Sequence, residues 1–420
     1  MDNHIYICID LKSFYASVEC AERGLDSMTT DLVVADPSRE KGTICLAVSP
    51  SLKAKGVKNR CRVFEIPEHL EYIMAPPRMK LYIDYSTRIY KIYLKYISKD
   101  DIQVYSIDEA FLDVTTYLKL YNMDATTLGK TIIKDIWDTL GIGASCGIGT
   151  NLYLTKIALD ITAKHSPDWI GYLDEEKFKA ELWFHEPLTD FWRIGRGTAK
   201  RLAKIGISNM YEIAHGDYEM LKKLFGKDVD ILIDHAWGRE STTIADIKSY
   251  KTKSHSLSNS QVLMRDYAYD EARLILKEMV ELQVLKLVEQ RVVTNNISLY
   301  VTYSKNIKPT VTGSTTLSVY TNSLTVIKKE MLKIYERIAD TDTPIRKIGI
   351  SCNNLLDESY EQYDLFTDPK ALDREKKISH AVLNIKGRYG KSAVLKGMNL
   401  LKEGTTRERL HQIGGHKSGE

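Results

Sequence analysis

Three acidic side chains, at two places in the sequence, have the type and setting of metal ligands. Asp10 directly follows the short apolar segment 4–9, and the pair Asp108–Glu109 follows the strand-like segment 102–106. Phosphoryl transfer is commonly driven by two divalent cations about 4 Å apart that share carboxylate ligands. Carboxylates that lie close together repel one another unless a cation lies between them. We therefore expect Asp10, Asp108 and Glu109 to hold two Mg²⁺ ions if the fold brings them together.

The alternative for each of these acids is an exposed turn residue. Aspartate is common where a strand ends, and an Asp–Glu dipeptide alone is a weak signal. Asp113 lies further along the same segment. We predict a structural role for it, as a cap for the loop at Thr115–Thr116.

The neighbouring sequence predicts the elements that would position these acids. Residues 102–106 and 110–114 are two strand-like segments, which predict a hairpin with Asp108–Glu109 at its tip. Further strands are predicted over 33–35, 44–48 and 144–149, and helices over 80–98, 124–140 and 151–163. Because strands and helices do not alternate regularly, we expect an α+β sheet with helices on one face.

The second half of the chain predicts further units. Near residue 185 a small all-helical unit begins, in which Gly195 and Gly197 form a tight turn before a helix. Residues 241–261 are rich in Ser, Thr and Lys and predict a linker. Helices over 268–291 and 323–339, with strands over 297–303, 315–320 and 347–351, predict a compact α/β module. Residues 358–420 are polar with scattered short helical patterns, and we expect them to be only partly ordered.

Composition indicates a multidomain globular protein. The chain has 420 residues, of which 43% are hydrophobic and 27% charged, and its length predicts two to four domains. No apolar run approaches the roughly 20 residues of a membrane span, and the first residues lack the pattern of a secretory signal, so we expect a cytoplasmic protein. The six cysteines form no CxxC pair and predict reduced, mostly buried thiols.

Positive charge is concentrated in the C-terminal half. Residues 248–355 carry 16 Lys and Arg against 10 Asp and Glu, and residues 386–420 carry 8 against 3, although the net charge of the chain is only +3. This distribution suits a polyanionic partner such as nucleic acid. A solvated charged surface explains the same count equally well.

Two segments carry a resemblance to a known family. Residues Asp10–Glu19 (DLKSFYASVE) resemble the opening motif of the Y-family, or translesion, DNA polymerases. Residues Tyr105–Asp113 (YSIDEAFLD) are similar to the catalytic hairpin of that family. The resemblance extends over roughly residues 1–355 and is greatest to the UmuC-like, UvrX-type branch of Gram-positive bacteria, their plasmids and phages.

The resemblance implies an α+β, right-hand polymerase fold with a palm, small fingers, a helical thumb with a helix-hairpin-helix turn, and a ferredoxin-like little finger. The expected bounds are 1–10 and 80–164 for the palm, 11–79 for the fingers, 165–240 for the thumb, 241–253 for a linker, 254–357 for the little finger and 358–420 for a tail.

The resemblance also implies roles for single residues. Asp10, Asp108 and the main-chain oxygen of Leu11 would bind metal, and Glu109 would complete the catalytic site. Tyr15 would be the steric gate that excludes a 2′-hydroxyl, with Phe14 packed beside it. Ordinary helix core is the alternative for these two aromatic residues.

Two lysines would contact the triphosphate. Lys156 matches the second phosphate-binding lysine of the family, and Lys53 would grip the β- and γ-phosphates. Pro50 departs from the Tyr that relatives often carry, and Lys53 replaces the Arg of some relatives, which makes a bidentate contact that lysine cannot. A surface lysine is therefore the alternative for Lys53.

Other residues would bind DNA or a partner protein. DNA-backbone contacts are implied for Gly195, Gly197, Lys248, Lys251 and Lys253. In the segment 362–366 (QYDLF), Gln362, Leu365 and Phe366 resemble a bacterial sliding-clamp motif. The resemblance leaves open whether a RecA filament or a UmuD-like subunit takes part.

These expectations describe a DNA-dependent DNA polymerase that acts on primer-template DNA and dNTPs in DNA repair and SOS-type damage tolerance, without proofreading. Two other classes are a non-catalytic DNA- or clamp-binding accessory factor and a nucleotidyl cyclase. The intact acids Asp10, Asp108 and Glu109 speak against the first, and the helix-hairpin-helix turn and the basic C-terminal module speak against the second.

Overall fold

The computed structural model describes residues 4–39, 42–164, 166–252, 255–304, 307–363 and 368–419. It divides the chain into two compact units, of which the first comprises Met1–Tyr250 with Lys417–Glu420 and the second Lys251–His416. No helix in the described ranges is long and apolar enough to cross a membrane.

The first unit contains eight named strands and twelve named α-helices. The strands are β1 (Tyr6–Leu11), β2 (Leu32–Val34), β3 (Ala47–Val48), β4 (Ile73–Ala75), β5 (Ile102–Val104), β6 (Glu109–Asp113), β7 (Ala144–Gly149) and β8 (Ile170–Leu173). The helices are α1 (Phe14–Ala21), α2 (Pro50–Ala54), α3 (Met79–Tyr93), α4 (Thr115–Tyr121), α5 (Ala125–Leu140), α6 (Leu152–Ile157), α7 (Glu175–Leu182), α8 (Arg196–Ala203), α9 (Met210–Ala214), α10 (Tyr218–Phe225), α11 (Val229–Ala236) and α12 (Ile244–Ser249).

A five-stranded sheet in the order β5-β6-β1-β7-β8 forms the centre of this unit. Its neighbours are antiparallel except β7 and β8, which are parallel. The predicted hairpin is present as β5 and β6. Asp113 acts as predicted, because its carboxylate accepts hydrogen bonds from the backbone amide and hydroxyl of Thr115, at 3.1 and 2.6 Å.

Helices cover both faces of this sheet, so the expectation of helices on one face is wrong. On one face Gly129 of α5 lies against the sheet, where an added Cβ would lie 3.0 Å from Cys146 Sγ. On the other face an added Cβ at Gly147 would lie 2.3 Å from the carbonyl oxygen of Thr155 in α6. Every residue of β7 is buried. The small glycines of β7 allow the second helix to pack directly on the backbone.

Two smaller parts complete the first unit. The strands β3-β2-β4 form a separate sheet whose core includes Val33, Val48 and Leu52. The helices α7 to α11 share one core with α6, which includes Tyr153, Phe178 and Leu202. All six cysteines of the chain are free and buried, as predicted.

The second unit has the element order strand-helix-strand-strand-helix-strand. Its main elements are β9 (Leu257–Tyr267), α13 (Tyr269–Glu289), β10 (Val292–Tyr303), β11 (Val311–Thr321), α14 (Leu324–Ile338) and β12 (Ile345–Asn353). They form a sheet in the order β11-β10-β12-β9 with both helices packed on its core. The short strand β13 (Leu356–Asp357) pairs with β10.

Two segments are more ordered than their composition indicated. Helix α12 forms inside the expected linker, and its Ile244 is buried with Tyr6 and Cys8. The tail contains α15 (Pro369–Tyr389), a helix of 21 residues, then α16 (Thr406–Leu410) and the short strands β14 (Gln412–Ile413) and β15 (His416–Lys417).

Candidate active site

The structure brings Asp10, Asp108 and Glu109 together at one end of the central sheet. Asp10, near the end of β1, lies opposite Glu109 at the start of β6. Asp108 is in the turn that precedes β6, and its carbonyl oxygen accepts a 2.9 Å hydrogen bond from the amide of Leu11. The Asp108 carboxylate accepts a 2.6 Å hydrogen bond from Ser106 Oγ. Pairing between β1 and β6 therefore fixes the three acids on adjacent backbone positions.

Asp10 is in an environment that disfavours its charged form. Burial and repulsion from Asp108 and Glu109 raise the pKa of Asp10 to about 7, against the smaller opposing effects of Lys156 and Lys164. A carboxylate in this situation gains free energy when a cation binds beside it. The donor set, two aspartates with a main-chain carbonyl nearby, consists of the hard oxygen ligands that Mg²⁺ prefers.

Glu109 has a different partner in this structure. Its carboxylate pairs with Lys156 Nζ at 2.8 Å and accepts a 3.2 Å hydrogen bond from the thiol of Cys8. Burial alone would lower the pKa of Lys156, but Glu109 and Asp160 outweigh it and hold that pKa above its usual value. Within the ranges that the structure describes, no three His, Cys, Asp or Glu side chains form a ready-made metal site. Glu109 is thus turned toward the lysine, whereas Asp10 and Asp108 have no ion-pair partner in the part of the chain that the structure describes.

The π-helical turn Ala158–Ala163 continues α6 and places a second lysine near this site. Its Asp160 pairs with Lys156 at 3.1 Å and with Lys164 at 3.3 Å. Helical turns of this type often occur at functional sites because they insert one extra residue and redirect side chains.

The two aromatic residues of the opening motif begin helix α1. Phe14 is buried, whereas Tyr15 is half-buried, and their ring centroids lie 5.8 Å apart. The Tyr15 ring stacks on Tyr82 of α3. Ser13, immediately before the helix, has a left-handed backbone with φ of 49°.

Lys53 lies in the last turn of α2 and is exposed. Pro50 is the first residue of that helix, where its missing N–H costs nothing, and Ser49 Oγ caps the helix by accepting from the Leu52 amide. Pro50, which stands where relatives often carry Tyr, is therefore compatible with the helix that carries Lys53. The electrostatic neighbours of Lys53 include Asp10 and Lys164.

Comparison with known proteins settles the family. The model of the impB/mucB/samB family matches residues 9–160, and the model of its C-terminal domain matches residues 254–365. The "Putative UV-damage repair protein UvrX" of Bacillus subtilis is 32% identical over 417 residues, which cover 98% of this chain and 97% of the relative. The chain belongs to the Y-family of DNA polymerases.

Further relatives agree with this assignment. "DNA polymerase IV 2" of Bacillus subtilis is 29% identical over 420 residues, which cover 99% of each chain. A solved Y-family DNA polymerase chimera has the same fold, with a TM-score of 0.66 at 22% identity over 84% of this chain and 99% of its own. The protein is thus a DNA-directed DNA polymerase of the UmuC-like type.

The structure places the expected DNA-binding residues of the polymerase in different settings. Gly195 precedes α8 and Gly197 lies in its first turn, both exposed and with open space at the Cα atom. Lys251 is exposed, but Lys248 Nζ donates to the main-chain oxygens of Lys99 and Asp100, the latter at 2.9 Å. Lys248 therefore already has partners inside the first unit.

Three expected residues, Lys253, Leu365 and Phe366, lie outside the described ranges. Gln362 is described, and its backbone amide donates a hydrogen bond to the main-chain oxygen of Tyr320 at 3.0 Å.

Reasoning from the sequence did not single out several residues that surround the acids and Tyr15, namely Lys12, Glu19, Tyr82, Lys164 and Trp169. One available signal was strand alternation, because Lys12 follows Asp10 by two residues and the two side chains would share a face. Glu19 lies within the opening motif itself, whereas Tyr82, Lys164 and Trp169 come from distant parts of the chain and have no local signal.

Proposed function

We propose that the polymerase adds deoxynucleotides to a primer by two-metal-ion nucleotidyl transfer, with low fidelity and no proofreading, in DNA repair and SOS-type damage tolerance. The observation that supports this most is the pairing of Asp10 with Glu109, beside Asp108, at one end of the sheet. The 3′-hydroxyl of the primer would attack the α-phosphorus of the dNTP, and pyrophosphate would leave. Two Mg²⁺ ions would neutralise charge on the attacking and leaving oxygens.

The chain's own groups would position the reactants. Asp10, Asp108 and the Leu11 carbonyl would hold the metal ions, and Glu109 would join them on release from Lys156. Tyr15 would lie against the sugar, where a rigid ring leaves no room for a 2′-hydroxyl. Released from its carboxylates, Lys156 would contact the triphosphate, and Lys53 would reach the β- and γ-phosphates.

We assign the palm to 1–10 and 80–164, the fingers to 11–79, the thumb to 165–240 and the little finger to 254–357. The exposed turn at Gly195 and Gly197 supports a non-specific contact between thumb amides and DNA phosphates. Lys251 and Lys253 would add contacts from the predicted linker 241–253. The segment 362–366 would bind a bacterial sliding clamp.

Primer extension with Mg²⁺ and dNTPs, on damaged and undamaged templates, tests the proposal. Wild type should extend both, whereas the double variant Asp108→Ala, Glu109→Ala should extend neither. Absence of extension by the wild type would favour a non-catalytic accessory factor. Extension by the double variant would show that other residues hold the metal ions.

A further inference from the structure

Lys12 and Trp169 form a close pair at the end of the sheet that carries the acids. The amide of Lys12, just after β1, donates to the carbonyl oxygen of Gly143 at 2.8 Å, and the amide of Cys146 in β7 donates to the carbonyl oxygen of Trp169 at 2.9 Å. These bonds join the end of β1, the start of β7 and the start of β8. Lys12 Nζ lies over the ring of Trp169, in a cation–π contact.

The backbone of Trp169 is strained. Its φ is 57°, in the left-handed region, which a bulky residue rarely occupies. Hydrogen bonds from Trp169 to Ser166 and from Cys146 to Trp169 hold this conformation. Such strain is concentrated at sites where a side chain must be aimed. Here the indole ring faces the ammonium group of Lys12.

The ammonium of Lys12 has no anionic partner within the described ranges, and the same is true of Lys53. By contrast, the other two lysines near Asp10 are paired, Lys156 with Glu109 and Lys164 with Asp160. Lys12 is half-buried, and its electrostatic neighbours include Asp10 and Lys53. Two nearby unpaired cations, one of them partly desolvated, are stabilised when an anion binds between them.

A Lys12–Trp169 contact that only stabilises the fold explains the half-buried ammonium group and the strained tryptophan less well. An apolar side chain would pack on the indole without the cost of desolvating an ammonium group, and it would not require a strained tryptophan. The position beside Asp10, at the same end of the sheet, instead suits a ligand that reaches both the metal-binding acids and a cation.

We propose that Lys12, held in place by Trp169, binds the polyphosphate of the incoming nucleotide and the pyrophosphate that leaves. This inference rests on the proposed function and adds a phosphate-binding residue to it. Lys12 and Lys53 would form the anion site, while Lys156 stays paired with Glu109 until the nucleotide and metal ions bind.

The variant Lys12→Met tests this proposal, because methionine keeps an apolar stem on the indole and removes the charge. The matched control is Lys130→Met, since Lys130 pairs with Asp168 at 3.0 Å beside the same tryptophan but is half-exposed and turned to solvent. We would measure KM for a dNTP in primer extension, the Kd of inorganic tripolyphosphate by calorimetry, and the melting temperature, all on the full-length chain.

Lys12→Met should raise both KM and the tripolyphosphate Kd about tenfold, equivalent to about 1.4 kcal/mol, with the melting temperature unchanged. Lys12→Arg should restore both constants, and Lys130→Met should change neither. Trp169→Leu should also raise KM and the tripolyphosphate Kd, since it removes the indole ring that holds Lys12 in place. Unchanged KM and Kd in Lys12→Met would overturn the proposal, whether or not the melting temperature falls.

The tripolyphosphate measurement separates this inference from the function on which it rests. A wild type that binds tripolyphosphate through Lys12 but extends no primer would refute the polymerase mechanism and leave the anion site. A wild type that extends primers, with a Lys12→Met variant of equal KM and Kd, would refute the anion site alone.

Discussion

The ring of Tyr15 lies flat on the ring of Tyr82, with centroids 4.5 Å apart and 18° between the planes. The hydroxyl of Tyr82 donates at 2.8 Å to Glu19, whose side chain is fully buried. Arg78 donates two hydrogen bonds to the same carboxylate, at 2.9 and 2.7 Å. Burial would raise the pKa of Glu19, but hydrogen bonds from Arg78, Arg23 and Tyr82 outweigh it and lower that pKa. Tyr15 therefore stacks on a platform, Tyr82, whose position is fixed by the network of Arg78 and the buried Glu19.

The first prediction concerns the gate itself. Tyr15→Ala removes the ring that would block a 2′-hydroxyl, so ribonucleotide incorporation should rise by about 10- to 100-fold relative to dNTP incorporation. Tyr15→Phe keeps the ring and should retain the selectivity of the wild type. Single-nucleotide insertion with paired rNTP and dNTP substrates measures the ratio. An unchanged ratio in Tyr15→Ala would remove Tyr15 from the gate role.

The second prediction concerns the platform. Tyr82→Leu removes the stacked ring, whose contact is worth about 0.5–1.5 kcal/mol, so sugar selectivity should fall by up to about tenfold. Tyr82→Phe keeps the ring and removes one hydrogen bond to Glu19, so selectivity should hold while stability falls by about 1 kcal/mol. The insertion ratio and a urea unfolding curve distinguish the two effects. Equal selectivity in all three proteins would show that Tyr82 does not position the gate.

The sequence was sufficient for the elements that carry the acids. Two short strand-like segments separated by a turn predicted the β5–β6 hairpin, and its pairing with β1 needed only that Asp10 end a neighbouring strand. Helices with a clear apolar periodicity, α3, α5 and α14, were also predicted. Each of these features depends on local spacing, which a single sequence displays.

Features that depend on distant partners were not predictable in this way. The first five residues of β9 fall within the predicted linker, because that stretch is rich in Ser, Thr and Lys. In the structure Asn259 and Gln261 accept hydrogen bonds from Arg409, at 3.2 and 2.9 Å. The tail is likewise held by Glu278 of α13, which is buried and accepts from the Thr405 and Thr406 amides at 2.8 and 3.2 Å. A buried polar residue whose hydrogen-bond partner is distant in the sequence cannot be distinguished from an exposed polar residue by its sequence neighbours alone.

The third prediction concerns the ion pairs of Lys156. Lys156→Met leaves Glu109 and Asp160 without their shared cation in a buried setting, so stability should fall by about 3–5 kcal/mol. Adding Glu109→Gln to this variant removes one uncompensated charge and should restore part of the stability but not the activity. Urea unfolding and primer extension measure the two properties. If Lys156→Met were as stable as the wild type and only raised KM for the dNTP, the lysine would serve substrate binding alone.

The fourth prediction concerns the segment 362–366. Replacing Leu365 and Phe366 with Ala removes the two apolar anchors of the motif, so co-purification with a bacterial sliding clamp should be lost while primer extension without the clamp is unchanged. Tyr360→Ala changes an exposed aromatic residue just before the segment and serves as the control. Retained clamp binding by the double variant would place the contact elsewhere on the polymerase.

The fifth prediction concerns a buried pair between α11 and the segment that follows it. Glu240 pairs with His235 Nε2 at 3.0 Å and accepts from the Thr242 amide at 2.8 Å, while the His235 ring stacks on Tyr153 of α6 at 4.0 Å. Burial alone would raise the pKa of Glu240, but the hydrogen bonds from His235 and Thr242 outweigh it and lower that pKa to about 2. The charged carboxylate therefore stabilises the folded state.

Because the folded-state pKa of Glu240 is depressed, its stabilisation is present above the unfolded-state pKa and is lost as pH falls toward about 2. Glu240→Gln should lower the free energy of unfolding by about 2–3 kcal/mol near neutral pH. The difference from the wild type should shrink steadily below about pH 4, as the wild-type carboxylate becomes protonated. Glu181→Gln, which removes a half-exposed partner of Lys177 at 3.9 Å, should have little effect at any pH. Urea unfolding of the three proteins across this range tests the assignment, and a difference independent of pH would mean that the side chain acts through packing rather than charge.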